Sequence, residues 1–488
     1  MNREFIINIA FLLSINLLIK PFYIFGIDRT VQNVVGAETY GLYFVLFNFT
    51  FLFQIINDFG IQNFNNRNIA QYRHLLDKYF PNILLLKLLL ALVYFSVVLL
   101  LSYTAGYLQA YSHLLLLVAF NHVLISLNFY VRSNVSGLGR YRIDSLLSAM
   151  DKLLMILFCS LLLWGPLGRE QFRIEYFIYA QSLSFLLTIA LGLFIVGRHI
   201  RVFRFRFKPA FLLLILKESY PYALVVFLMT VYSKIDGVMI EKLLPDGQLE
   251  AGIYASAYRL LDASNMIGFL FAGLLLPMFA RMLKQGESVN DLLQFSVRMI
   301  WAAAIGLAFT TYFFQAEVVD LLYTEATAYW GEVLGWLIFS FVAVSGIYVY
   351  GALLTANGSL MKMNVIFVVS ILLNVLLNAW LIPQYKAAGA AMATIATQFF
   401  SLLAQILLAH RELRLPADWD LLWRLLGFTF FAYCLTYGMY NYGTLGWKVN
   451  FVLNLSFCAL LAFGLKLIDL KAFFATFAQR PAKHRRTN

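Results

Sequence analysis

Arg259, Lys20, Lys234 and Arg298 each stand inside a long apolar run, as do the carboxylates Asp58, Asp236 and Asp262. A charge placed in hydrocarbon costs about 2.5–3.5 kcal/mol on insertion scales, so such residues face a cavity or a partner. Cations there suit a compact anion such as a pyrophosphate, Arg as a planar bidentate donor and Lys as a point charge. Arg259, Lys20 and Lys234 lie about six or seven residues from the outer ends of their runs, ~10 Å of depth for all three. Arg298 sits a similar distance from the cytoplasmic end of its own run. The carboxylates suit a different task, the uptake and release of a proton or a sodium ion.

Each of these residues also has a plainer reading. Arg259 and Asp262 are spaced i,i+3 and can pair on one helix face. Lys20 precedes Pro21, and its stem can snorkel outward; the same holds for Arg298, for Lys87 and for Lys152 beside Asp151. Lys234 and Asp236, at i,i+2, cannot share a face, so Asp236 meets another helix. Asp58 can bond to backbone or a loop cation. His113 and His122 either relay protons or are satisfied within the membrane. The amides Asn8, Asn16, Asn48, Asn57, Asn374 and Asn378 fit sugar hydroxyls and interhelical hydrogen bonds equally well. The chain has no H-E-x-x-H, no P-loop and no plausible hydrolytic triad, and it calls for no metal or other cofactor.

What must position these groups is a membrane. The 488 residues are 61% hydrophobic and only 13% charged, about half the ~25% of soluble proteins. That much apolar surface cannot be hidden in a water-soluble globule. Cys159, Cys434 and Cys458 all lie in apolar stretches without paired spacing and read as small hydrophobes. A span needs about 20 apolar residues, which predicts fourteen helices. They run roughly over 5–27, 39–61, 81–104, 107–131, 145–166, 175–197, 218–240, 253–280, 291–315, 329–356, 362–383, 386–409, 420–441 and 446–467. The fold class is therefore all-α and polytopic. The N-terminal run lacks a small-residue cleavage site and reads as a retained first helix.

With the N-terminus in the cytoplasm, 25 of the 37 Lys and Arg fall on the cytoplasmic side and 6 on the outer side. That asymmetry sets orientation, both termini inside, and accounts for most of the net charge of +12 without a nucleic-acid partner. The run Arg201–Lys208 and the tail from Arg480 to Arg486 then lie near anionic lipid head groups.

Gly36-x4-Gly41-Leu-Tyr43 returns as Gly247-x4-Gly252-Ile-Tyr254, and Gly139, Arg142 and Asp144 are echoed by Gly358, Lys362 and Asn364. The two offsets are nearly equal, which favours homologous six-helix halves, 1–200 and 210–410, as parallel repeats. Helices 13 and 14 follow at 418–470, then a basic tail at 471–488.

Ser233-Lys-Ile-Asp236-Gly-Val-Met-Ile240 followed by Gly252-Ile-Tyr-Ala-Ser-Ala-Tyr258-Arg259 resembles the seventh and eighth helices of the polysaccharide flippases. So does Leu381-Ile-Pro383-Gln-Tyr385-Lys-Ala-Ala-Gly389, with Asn374 and Asn378 before it and Thr394 after. The N-terminal Gly36-x4-Gly41-x-Tyr43 and Asp58-Phe-Gly60-Ile fit the same pattern. The family is that of the O-antigen (Wzx-type) oligosaccharide flippases, within the multidrug/oligosaccharidyl-lipid/polysaccharide exporter superfamily. In one departure, Lys386 and Ala387 replace a Gly usually found after the Pro-x-Tyr, a change expected to matter little.

The resemblance implies two bundles forming a V around a cavity that opens alternately to either side of the bacterial inner membrane. The cargo it implies is an undecaprenyl-pyrophosphate-linked oligosaccharide, driven by a proton or sodium gradient, with lipids and possible glycan polymerase machinery as partners. It implies no enzymatic step. A multidrug exporter of the same superfamily would want carboxylates where this chain has Lys20, Lys234 and Arg259. A lipid II flippase is closer. An O-antigen polymerase, the enzyme alternative, usually carries a sizeable external loop, and the longest here is about 316–328. The orientation is testable directly: reporter fusions are expected to place the Arg198–Lys217 loop and the C-terminal tail in the cytoplasm, and an external tail would overturn it.

Overall fold

A computed structural model of the chain describes residues 18–72, 76–165, 171–200, 209–416 and 418–468. The Arg201–Lys208 run, the basic tail and the first half of the first expected helix, with Asn8 and Asn16, lie outside the described residues.

All fourteen expected helices have counterparts. The first, α1, runs over 18–35; it includes a π-helical stretch, Tyr23–Asp28, and ends as Arg29–Val35. The second, α2, comes in three pieces, Ala37–Leu52, Gln54–Asp58 and Ile61–Gln71. There follow α3 (Leu76–Thr104), α4 (Tyr107–Gly137), α5 (Tyr141–Trp164), α6 (Ile174–Gly197), α7 (Pro209–Leu243) and α8 (Gly247–Gln285). Then come α9 (Asn290–Phe313), a short helix Gln315–Leu322, and α10 (Ala328–Ala356). A continuous Leu360–Leu413 segment holds α11 (360–385) and α12 (387–413), divided at Lys386. The last two are α13 (Trp419–Tyr442) and α14 (Trp447–Gly464). Nine helices among the described residues are long and apolar enough to cross a membrane.

The burial pattern is that of a protein solvated by lipid. Leu92, Leu161, Leu376, Leu407 and Leu460 stay exposed, while Asn134, Asn378, Ser340 and Asn454 are sealed inside. Without water outside, helices gain little by burying Leu and more by satisfying polar groups against one another.

Contacts divide the chain into two compact units, and their boundaries differ from those of the two expected halves. The first comprises Met1–Arg259, Leu322–Ala326 and Phe367–Ala393; the second comprises Leu260–Leu321, Thr327–Ile366 and Thr394–Asn488. In the first, the repeated Gly motifs meet. A methyl group on Gly41 would collide with the Gln248 carbonyl oxygen, and one on Gly252 with that of Ala37. Only glycine lets the starts of α2 and α8 approach so closely. The second repeat also has a structural basis: Gly139 and Gly358 both adopt φ 79 just before α5 and α11. In the second unit, Asn454 joins the last two helices to α9, donating to Thr310 Oγ1 at 2.7 Å and Thr436 Oγ1 at 2.9 Å.

Lys386 sits at φ 54, ψ −133, a conformation that glycine adopts freely and an L residue does not. What the Lys side chain adds is a clamp. Its ammonium meets Asp246 Oδ2 at 2.5 Å and Glu250 Oε1 at 3.1 Å, and Glu250 Oε2 accepts from the Ala387 N–H at 3.3 Å. The hydrogen bond from Lys386 holds the Asp246 carboxyl below its usual range, and Asp246 and Glu250 raise the Lys386 ammonium. The depressed Asp246 contributes stability that is lost as pH falls through its folded pKa. The raised Lys386 contributes stability that is lost as pH rises through its own, so the clamp is complete between the two. Lys386→Gly exchanges clamp for relief of strain and should shift thermal unfolding little. Lys386→Ala keeps the strain, about 1–3 kcal/mol for such a conformation, and should melt below both, as a detergent-solubilised thermal scan will show.

Candidate functional site

The π-helical stretch makes one side of the site. It carries α1 past Gly26 without ending it, so Asp28 lies in the helix and is sealed at 1% side-chain exposure. From α8, Arg259 reaches it, Nε to Oδ2 at 2.7 Å. Tyr40 of α2 completes a triangle, donating its hydroxyl proton to Asp28 Oδ1 at 2.9 Å and accepting from Arg259 Nη2 at 2.8 Å. Tyr23 and Tyr43 lie within electrostatic reach of the same pair.

The 322–326 segment, part of this unit, covers the cluster. Asn33 donates to the Leu322 carbonyl at 2.9 Å, Thr324 N–H donates to Asn33 Oδ1 at 3.2 Å, and Tyr323 donates to the Ser256 carbonyl at 3.2 Å. Glu325 Oε2 accepts from Ala37 N–H at 2.9 Å, satisfying a donor freed where α2 begins. Arg259 itself keeps 24% side-chain exposure, so its side chain is anchored without being sealed.

The other expected cations lie elsewhere. Lys20 is in reach of Lys152, Asp151 and Arg132, on α5 and α4. Lys152 does not simply snorkel: its ammonium lies 4.6 Å from the centre of the Tyr23 ring. Lys234 lies 4.9 Å from the Tyr258 ring and acts on His122 of α4. The helices extend beyond the expected ends, so Lys20 stands fifteen residues before Val35, Arg259 twelve after Gly247 and Lys234 nine before Leu243. Tyr258, the neighbour of Arg259 in sequence, donates its hydroxyl proton to the Ser233 carbonyl at 3.2 Å, which brings the Lys234 turn of α7 beside the Arg259 turn of α8. Arg298, in the second unit, is taken up at the start of α13, 3.1 Å from Asp418 and 3.6 Å from Asp420. Asp418 also lines an apolar cavity of about 510 Å³ with Trp301, Leu407, Leu422 and Leu425.

Of the carboxylates, Asp236 does meet other helices: it accepts from Tyr254 of α8 at 2.9 Å and from Asn378 of α11 at 2.7 Å. Asp58 is bonded to a cation, Lys87 of α3, whose side chain is buried rather than snorkelling outward as expected. Asp262 lies in reach of Tyr348 within the second unit. His122 is sealed, with Nδ1 2.8 Å from the Val118 carbonyl and no partner on Nε2; His113 is exposed beside Tyr179. The residue missed outright is Asp28. Its signal was present, a lone carboxylate ending the first apolar run, but it read as loop.

This is an all-helical, many-span protein with the fold of the multidrug and lipid-carrier transporters. The chain aligns with the lipid II flippase MurJ in an inward closed conformation at TM-score 0.68 and 15% identity, covering 98% of this chain and 100% of that one. It aligns with an inward-facing multidrug resistance MATE family transporter of the MOP superfamily at TM-score 0.62 and 13% identity, covering 82% and 98%. Residues 7–283 match the polysaccharide biosynthesis protein family, and the chain belongs to that family. Over 166 residues it is 27% identical to the lipid III flippase of Escherichia coli (strain K12), a stretch covering 33% of this chain and 40% of that relative.

The Arg259–Asp28 pair makes a stability prediction. Arg259→Ala leaves a sealed carboxylate without its cation, a loss of about 3–5 kcal/mol. Membrane levels and melting temperature should both fall. Arg259→Gln combined with Asp28→Asn removes both charges and should restore both. A double variant no better than the single would overturn the pairing.

Proposed function

We propose that this protein translocates an undecaprenyl-pyrophosphate-linked oligosaccharide repeat unit across the bacterial inner membrane by alternating access. The observation that carries the proposal is Arg259, fixed by Asp28 and Tyr40 yet a quarter exposed, in a chain of the polysaccharide biosynthesis family. A guanidinium positioned this way presents a planar, charged donor group to a phosphate oxygen and loses little freedom on binding. The relatives named as lipid II and lipid III flippases support a lipid-linked cargo. Lys234, whose ammonium lies over the ring of Tyr258 beside Arg259 in sequence, is the second candidate for the pyrophosphate, and Lys20, in reach of Lys152, Asp151 and Arg132, is the third. Arg298, bound by two carboxylates, is the weakest of the four candidates. A multidrug exporter shares the fold, but three cations at these positions oppose a cationic drug.

No nucleotide-binding motif is present, so an ion gradient is the proposed energy source, with Asp58, Asp236 and Asp262 as candidate carriers. Asp58 is already neutralised by Lys87, which leaves Asp236 and Asp262 ahead of it. In proteoliposomes, transport that persists after both proton and sodium gradients collapse would refute the coupling.

The cargo role of Arg259 is tested by flipping measured alongside protein level. Arg259→Lys should retain partial flipping, and Arg259→Ala and Arg259→Gln should lose most of it. The Arg259→Gln, Asp28→Asn double variant should accumulate normally and still fail to flip. If it exports glycan as the parent does, Arg259 is structural and the pyrophosphate role falls.

A further inference from the structure

Helix α2 is not one rod. After Leu52 the backbone leaves helical geometry at Phe53 (φ −94, ψ 4), and after Asp58 it passes through the left-handed region at Phe59 (φ 48) and Gly60 (φ 74) before helix resumes at Ile61. Each break frees carbonyls that in lipid must find donors within the protein. At the first, Tyr94 of α3 donates to the Thr50 carbonyl at 3.1 Å. At the second, Lys87 of α3 donates to the Asn57 carbonyl at 3.1 Å, to Ser126 Oγ of α4 at 2.9 Å and to Asp58 Oδ1. Ser126 donates in turn to the same Asn57 carbonyl at 2.9 Å.

All three protons of the Lys87 ammonium are thus spent on one joint, and its side chain is 1% exposed. A lysine needed only to neutralise Asp58 would not also have to cap a main-chain carbonyl. A break needed only to end a membrane helix would not be followed by eleven more helical residues, Ile61–Gln71. The arm is held by neutral contacts. Ile61 and Ile69 are fully buried in the apolar core of the unit, Asn65 donates to Ser133 Oγ at 2.8 Å, and Phe64 stacks on Tyr79. Sliding or tilting on such contacts separates no charges, whereas opening the joint would part a buried ion pair.

We propose that α2 is a jointed helix whose cytoplasmic arm, Ile61–Gln71, moves during the transport cycle, and that Lys87 is the positioning residue that sets the joint. Lys87 touches no cargo; it acts through the Asn57 carbonyl and Asp58, fixing the angle at which the arm leaves the bundle. The proposal rests on the transporter reading only for the word cycle. The joint itself can be measured without any cargo.

The test uses the full chain in nanodiscs with its three cysteines replaced by Ala and spin labels at Gln62, on the arm, and Tyr103, at the far end of α3. The parent should give one narrow distance. Lys87→Met combined with Asp58→Asn removes both charges together, so it should accumulate near the parent level, yet it should broaden the distribution or add a second distance. Flipping should drop at least tenfold. A distribution identical to the parent's would overturn the role of Lys87. Should that variant fail to accumulate, Gly60→Ala disfavours the left-handed turn without touching a charge and is expected to add a second distance; an unchanged one would again overturn the proposal. For the motion, Phe64→Cys with Tyr79→Cys is pinned by a short reducible cross-linker. Flipping should stop when pinned and return on reduction, and flipping by fully cross-linked protein would overturn it. If the cargo is wrong, the distance result stands while no variant flips anything, so the two failures are separable.

Discussion

The constraint on which this structure depends is that no polar group inside the bilayer can fall back on water. A soluble helix bundle may leave a kinked carbonyl to solvent, but here every departure from straight helix needs a named donor. The π-helical stretch of α1 coincides with the Asp28–Tyr40–Arg259 triangle. The breaks in α2 coincide with Tyr94, Lys87 and Ser126. The turn at Lys386 coincides with Asp246 and Glu250, outside the hydrocarbon but built the same way. At these places irregular backbone and charged or polar partners occur together; elsewhere they part, α4 breaking at Tyr111 (φ −139, ψ 35) and Asp236 lying within the continuous α7. At the second break of α2 the coupling is closest, the backbone supplying an acceptor for the Lys87 charge and the charge supplying the donor the break needs.

That coupling explains what could be read in advance. The fourteen spans were legible because length and apolar content are local properties, whereas the repeated Gly motif marked a repeat and gave no sign that Gly41 and Gly252 would meet. The breaks were not legible. Gly26-Ile27-Asp28-Arg29 has the look of a loop, and only the approach of Arg259, from far along the chain, makes it helix. Asn57-Asp58-Phe59-Gly60 has the look of a helix end, and the amide-rich Ile61–Gln71 segment that follows is too polar to pass as a span. Lys87 and Asp58 are 29 residues apart in sequence, and no spacing rule joins residues on different helices. Local pattern gives the elements; partners across helices decide where those elements bend.

The same argument sorts the charges by what holds them. Lys87 spends its protons on one joint, and Arg298 is engaged by two carboxylates. Arg259 and Arg298 keep similar side-chain exposure, 24% and 22%, and differ in their partners: Asp28 is 1% exposed, against 17% for Asp418 and 56% for Asp420. A bond gains strength as its surroundings lose water, so the sealed carboxylate holds Arg259 more firmly than the open pair holds Arg298. Within the Arg259–Asp28 pair the carboxylate is enclosed and the cation is not, so position is fixed at one end and access kept at the other.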